Sequence, residues 1–133
     1  MDNACEILKA ARRIAVLGMS PKPQRTSHAI AMYMQRAGYE IIPVNPGHEA
    51  IEGLACYRKL EAIPEAVDIV DVFRAAEHEH DVCADILAMQ TPPKAVWFQL
   101  NAGGFEVEGK LRDHGIEVFV DRCIKVDHAN CRG

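Results

Sequence analysis

Five short apolar runs punctuate the chain, at residues 13–18, 40–44, 67–73, 95–100 and 116–120. Each is rich in Val, Ile, Leu or aromatic side chains and too short for a buried helix, so each reads as a β-strand. Apolar positions within them are nearly continuous rather than alternating, the pattern of strands covered on both faces. The segments between carry helical spacing. Residues 3–12 read as a leading helix. A second helix starts at Thr26 or Ser27, either of which can cap it, and repeats its apolar positions at Ile30, Met34 and Ala37 before Gly38 ends it. Residues 58–63 allow one or two helical turns ahead of Pro64. The stretch 76–90 sets Val82, Ile86 and Met89 on one face and is closed by Pro92 and Pro93. A last helix covers 105–114, between the Gly103-Gly104 break and Gly115.

Strands alternating with helices at this spacing predict βαβ units, hence a five-stranded parallel sheet in a three-layer α/β/α fold. With 133 residues and neither repeat nor linker, residues 1–133 are expected to form one domain. The formal net charge of −4 disfavours general binding to nucleic acid or to an acidic membrane, so a polyanionic ligand must find a local cluster of positive charge. No apolar run approaches the roughly 20 residues of a membrane span, and the N-terminus lacks the features of a signal peptide. The five cysteines (Cys5, Cys56, Cys83, Cys123, Cys131) are odd in number, and no pair has C-x-x-C spacing. The expectation is a cytoplasmic protein with reduced thiols.

In an open parallel sheet, ligands bind beyond the carboxyl ends of the strands, where the strand order switches. The loop after the first strand, Gly18-Met19-Ser20-Pro21-Lys22-Pro23-Gln24-Arg25-Thr26-Ser27-His28, joins a buried strand to a helix start. Free backbone N–H groups and the helix dipole favour an anion there. Ser20, Thr26 and Ser27 add neutral donors, and Lys22 and Arg25 add charge, a combination suited to phosphate. It is not the dinucleotide fingerprint: Ser20 stands at the second glycine position, and strand two ends in Asn45-Pro46-Gly47 without the acidic residue that holds a ribose. NAD is disfavoured, while NADP stays open because Lys22 or Arg25 could meet a 2′-phosphate.

Five pieces of the chain resemble one family in order. They are residues 16–23 with Ser27, residues 42–46, residues 67–74, residues 96–100 and residues 121–126. The resemblance is to the CoA-binding domain family, small proteins similar to the N-terminal domain of the succinyl-CoA synthetase alpha subunit. It implies a Rossmann-like sheet with coenzyme A lying across the ends of strands one to three. In that arrangement Gly18, Ser20, Lys22, Arg25, Thr26 and Ser27 would hold phosphates, and Asn45 and Pro46 would meet the nucleotide end. Val72, Phe73 and Arg74 would line the path beside it. The carry-over is binding and not the ligase reaction, which in that enzyme needs a phosphorylated histidine in a further domain and a partner subunit. The expected function is therefore binding of CoA or an acyl-CoA without catalysis, sensed by a protein partner or regulatory in purpose. The alternative is a minimal NADP-dependent oxidoreductase.

Other residues admit a plainer role beside a functional one. Turn chemistry alone would justify Asn45. Arg74 and Arg122 could bind ligand or pair with Asp71, Asp121 or helix ends. Cys123 could form a mixed disulfide with CoA, or simply pack as a small hydrophobe. His78 and His80 fall at i and i+2, which do not share a helix face, so no metal site is expected. His28 is left open between ligand and solvent, and residues 127–133 between disorder and folding onto a partner.

Overall fold

The computed structural model describes residues 2–131. The chain runs through α1 (Ala4–Ala10), β1 (Arg13–Leu17), α2 (Thr26–Arg36), β2 (Glu40–Val44), β3 (Ala50–Ile51), β4 (Leu54–Ala55) and a 3-10 turn at Leu60–Ala62. It continues with β5 (Ile69–Val72), a 3-10 turn at Ala76–His78, α3 (Glu79–Leu87), β6 (Ala95–Phe98), α4 (Glu108–Asp113), β7 (Glu117–Val120) and α5 (Ile124–Asn130). Five parallel strands form one sheet in the order β2-β1-β5-β6-β7. Chain order thus reverses at β1, which has β2 on one side and β5 on the other.

Both faces of the sheet are covered, as the continuous apolar runs require. One face sets Leu17, Val44, Val72 and Phe98 against Val82 and Ile86 of α3 and Leu111 of α4. The other sets Ile14, Val16, Ile69, Trp97 and Phe119 against Leu8 of α1, Ile30 and Met34 of α2, and Ile124 of α5. Trp97 is fully buried, stacks on Phe119 with ring centroids 4.3 Å apart, and donates its Nε1–H to Asp127 Oδ2 at 2.8 Å. That hydrogen bond lets a large indole sit in the core without an orphaned donor.

Several elements depart from the sequence expectation. Neither Thr26 nor Ser27 caps α2; the N-cap is Arg25 and no side chain caps it, because the Ser27 hydroxyl is turned back to the preceding loop. The helix expected over 105–114 shortens to α4, since the backbone of 103–107 is spent on a tight loop. Residues 48–57, read as plain loop, contain the β3–β4 hairpin. The tail does not stay loose: α5 docks on α1 and α2, Arg132 and Gly133 lying outside the described residues. Arg122 pairs with neither Asp71 nor Asp121 but with Asp2 and with Asp127, the latter at 3.0 Å.

The five-thiol expectation is also corrected. Cys5 and Cys131 form a disulfide across 126 positions, and Cys56, Cys83 and Cys123 are free. The pairing follows from α5 folding back beside α1, which brings the two ends of the chain together.

The outer sides of the edge strands are partly closed. Pro43 in β2 has no N–H to offer, and Tyr57 covers that side by donating its N–H to Pro43 O at 3.0 Å while accepting from Asn45 N at 2.9 Å. On β7 the Arg112 guanidinium donates to Val118 O at 2.6 Å.

A crosslink closing nearly the whole chain restricts the unfolded ensemble most. Reduction is expected to lower the unfolding free energy by about 2–4 kcal/mol. Urea unfolding with and without dithiothreitol measures this; superimposable midpoints would remove the disulfide from the account of stability.

Candidate functional site

The carboxyl ends of β1, β2 and β5 meet at Gly18. Its φ is +87°, a conformation that favours glycine, while a Cβ built there would make only an ordinary contact, 3.4 Å from the Phe73 carbonyl carbon. Gly18 N–H donates to Val44 O and Phe73 N–H to Leu17 O, both at 2.9 Å, which locks three strand ends together.

The loop leaving Gly18 is braced from several sides. Ser20 N–H donates to Ser27 Oγ at 2.9 Å, and Lys22 N–H to Ser20 Oγ at 3.1 Å. Asn45 Nδ2 donates to Met19 O at 3.0 Å, and its Oδ1 accepts from Gly47 N at 2.9 Å. Ser20, Ser27 and Asn45 therefore already serve the loop's own geometry, and Ser27 is buried. Lys22, Arg25 and Thr26 are exposed. The first intrahelical bond of α2 is Ala29 N–H to Arg25 O, leaving the amides of Thr26, Ser27 and His28 as the open donors of the first turn. No acidic residue occupies that turn. Polarity, charge and helix dipole thus all favour an anion here.

His28, undecided from sequence, is a buried strut. Its Nδ1 donates to Ser20 O at 2.9 Å, and its Nε2 lies 2.9 Å from Glu52 Oε1. A carbonyl only accepts, so Nδ1 is the donor in the first of these contacts. Glu52 reaches this contact from the β3–β4 turn, where it adopts φ +54° beside Gly53 at φ +74°. Two positive φ values mark a two-residue hairpin, for which Asn-Gly is the ordinary signal; Glu-Gly hid it. A left-handed Glu costs roughly 1–2 kcal/mol, and its contact with His28 is what that conformation secures.

Beyond β2, Pro46, Cys56, Tyr57, Arg58, Lys59 and Ala62 line an open groove of about 530 Å³. Arg58 and Lys59 are exposed at it, and Lys59 also pairs with Glu61 at 3.1 Å. Burial pushes the Cys56 thiol up, and it donates to Asn45 O at 3.5 Å. The sequence had pointed to Pro46 but not to the floor that Tyr57, Arg58 and Lys59 supply, because only the hairpin returns them to β2.

On the β5 side, Phe73 and Arg74 are half-buried at the edge, whereas Val72 is wholly buried beneath it and presents no side chain to a ligand. Burial lifts the Asp85 carboxyl above its usual range, and the Arg74 charge opposes that rise. Cys123 lies at the N-cap of α5 after β7, packed against the layer of Trp97 and Phe119. His80 is held at 3.0 Å from Glu106 on the surface, and no group of three or more metal-ligating side chains gathers among the described residues. No helix among them is long and apolar enough to cross a membrane.

Comparison with known proteins decides the family. The model of a family described as CoA binding domain matches residues 12–129. The chain belongs to that family. It is 42% identical over 124 residues to the uncharacterized protein YneT of Bacillus subtilis, covering 93% of this chain and 90% of that one. The solved structure of cell-free ID.343 from Thermus thermophilus is similar at TM-score 0.91 and 34% identity, covering 99% of this chain and 100% of that one. A dinucleotide-forming acetyl-coenzyme A synthetase 1 of Ca. Korarchaeum cryptofilum shares the fold at TM-score 0.67 and 24% identity, over 80% of this chain and 25% of that one. The family shares the Rossmann-like α/β fold seen here, with its helix-flanked five-stranded parallel sheet.

One residue under the site has no partner. Asp71 lies in β5 between Val16 and Trp97 in register, is 1% exposed, and its Oδ1 makes no hydrogen bond. Burial pushes its carboxyl well above the ordinary range. The native chain therefore holds this proton where the unfolded chain, with an ordinary carboxyl near pH 4, has released it. The Asp71 contribution to stability is full below about pH 4 and is lost as pH rises toward the native value. Asp71→Asn should remove that loss, so its stability should gain on the parent's as pH rises from 4 to 8. The gap should narrow as pH falls to 4, and parallel stability curves from pH 4 to 8 would contradict it.

Proposed function

We propose that this chain binds coenzyme A, free or as a thioester, across the ends of β2, β1 and β5, and carries out no reaction on it. The observation that bears most weight is the start of α2. Open amides, an acid-free first turn, and exposed Lys22 and Arg25 gather there in a protein whose net charge is −4. A pyrophosphate is the natural partner of such a cradle. The groove beyond Pro46 supports the same reading: Tyr57 and Ala62 offer a flat apolar surface for a base, with Arg58 and Lys59 beside it for a terminal phosphate. The ligand's remaining arm then runs past Gly18 and Phe73 toward β6.

Recognition rather than chemistry is the role this reading gives the edge. Arg122 is committed to Asp2 and Asp127, Asp121 accepts from Asn101 N at 3.2 Å, and burial keeps Cys56 as a thiol. Binding of this kind would act through a protein that reads occupancy. Acetyl-CoA incubated with the protein is expected to remain intact by chromatography, and its turnover would refute the non-catalytic part.

Calorimetric titration of protein stripped of carried ligand is expected to show saturable CoA binding with little response to NADP. Arg25→Ala should weaken CoA binding by about 1.5–3 kcal/mol, the worth of a charge-assisted hydrogen bond, or roughly ten- to a hundredfold in Kd. Binding of NADP alone would overturn the proposal, and an unchanged CoA constant would remove Arg25 from the site.

A further inference from the structure

Large apolar side chains are exposed at three places among the described residues: Leu100 (60%), Phe105 (65%) and Val126 (53%). Val126 stands alone on α5, and single exposed apolar residues are ordinary. Leu100 and Phe105 differ because they share the loop of residues 99–107 that leaves the carboxyl end of β6. Gln99 N–H donates to Val72 O at 3.2 Å, so this loop begins directly beside the Phe73–Arg74 edge. It stands three strand spacings from β2, about 14 Å across the sheet.

The loop is held in one shape. Asn101 takes φ +67°, with its N–H on Asp121 Oδ1 at 3.2 Å. The buried Glu79 accepts from Gly104 N at 3.2 Å and Glu106 N at 3.0 Å. Gly104 sits so close to Phe98 that a Cβ would come within 2.6 Å of its ring, and Ala102 and Val107 are buried. Every other apolar residue of the loop is packed, and the backbone adopts unfavourable angles to keep this form. A rigid loop that leaves its two largest apolar side chains in water is a preformed surface awaiting something apolar.

We propose that Leu100 and Phe105 form the seat of an acyl group, so that the ligand is an acyl-CoA with an aliphatic chain of several carbons rather than free CoA. This rests on the CoA reading above. With phosphates at the start of α2 and the nucleotide end beyond β2, the pantetheine arm leads across β5, and its thioester end arrives at β6. The occupant of the apolar pair is then fixed by continuity: the group that follows the sulfur.

The test is titration with CoA, acetyl-CoA and hexanoyl-CoA, on the parent and on the Leu100→Ser, Phe105→Ser double variant. Both positions are exposed, and matched thermal melts verify that the variant folds. Hexanoyl-CoA is expected to bind the parent at least tenfold more tightly than CoA, with acetyl-CoA between. The double variant should lose that preference while its Kd for CoA moves less than twofold. CoA binding without any gain from the hexanoyl group would overturn the acyl seat and leave the CoA reading standing. Failure of CoA and both thioesters to bind would overturn both. An acyl preference that survives in the variant, with a dimer in the parent that the variant abolishes in sedimentation, would assign the pair to self-association and overturn the proposal.

Discussion

The site exists because chain order reverses at β1. With β2 on one side and β5 on the other, the loops that follow β1 and β5 must part in opposite directions. In open α/β sheets such a switch point is where ligand crevices form. At that point the chain turns through a positive φ at Gly18, a conformation that glycine adopts most readily. From this junction the loop runs to the start of α2, whose first-turn amides no side chain caps.

Much of the polar chemistry near the crevice stiffens it rather than meeting ligand. Ser27, Asn45 and His28 each spend hydrogen bonds on the backbone of residues 19–20, and Glu52 secures His28 from a hairpin more than twenty positions away. Bonds to main-chain atoms fix the loop before any ligand arrives, which reduces the ordering that binding must impose. Lys22, Arg25 and Arg58 stand exposed at the surface, and Lys59 is exposed there while paired with Glu61. Asp71 is the exception to this economy of polar groups: a buried carboxyl with an unsatisfied oxygen, for which the structure offers no local compensation.

The five strands were legible in the chain because each is a dense run of β-branched and aromatic residues bounded by Gly, Pro or Asn, and doubly covered strands leave that signature. Boundaries slipped where tertiary bonds outcompeted local signals. Ser27 looked like a cap but is claimed by Ser20, and residues 105–107 looked helical but are held in the loop by Glu79. Gly18, Lys22, Arg25 and Phe73 could be placed at the edge from their position alone. His28, Glu52 and the Tyr57–Lys59 floor could not, since their proximity depends on a hairpin whose turn uses Glu where Asn would have announced it. The Cys5–Cys131 pairing was hidden for a related reason: nothing in cysteine spacing reveals that α5 returns to α1.

The two margins of the sheet carry a consequence of their own. An unpaired strand is a template on which another extended chain can grow, and repeated addition ends in fibrils. Here Pro43 deprives one margin of a donor while Tyr57 occupies its neighbours, and Arg112 plugs an acceptor on the other. A stranger docking on either side would find the hydrogen-bond ladder interrupted within a residue or two. Edge-to-edge recruitment of further copies is thereby disfavoured at both margins of this fold.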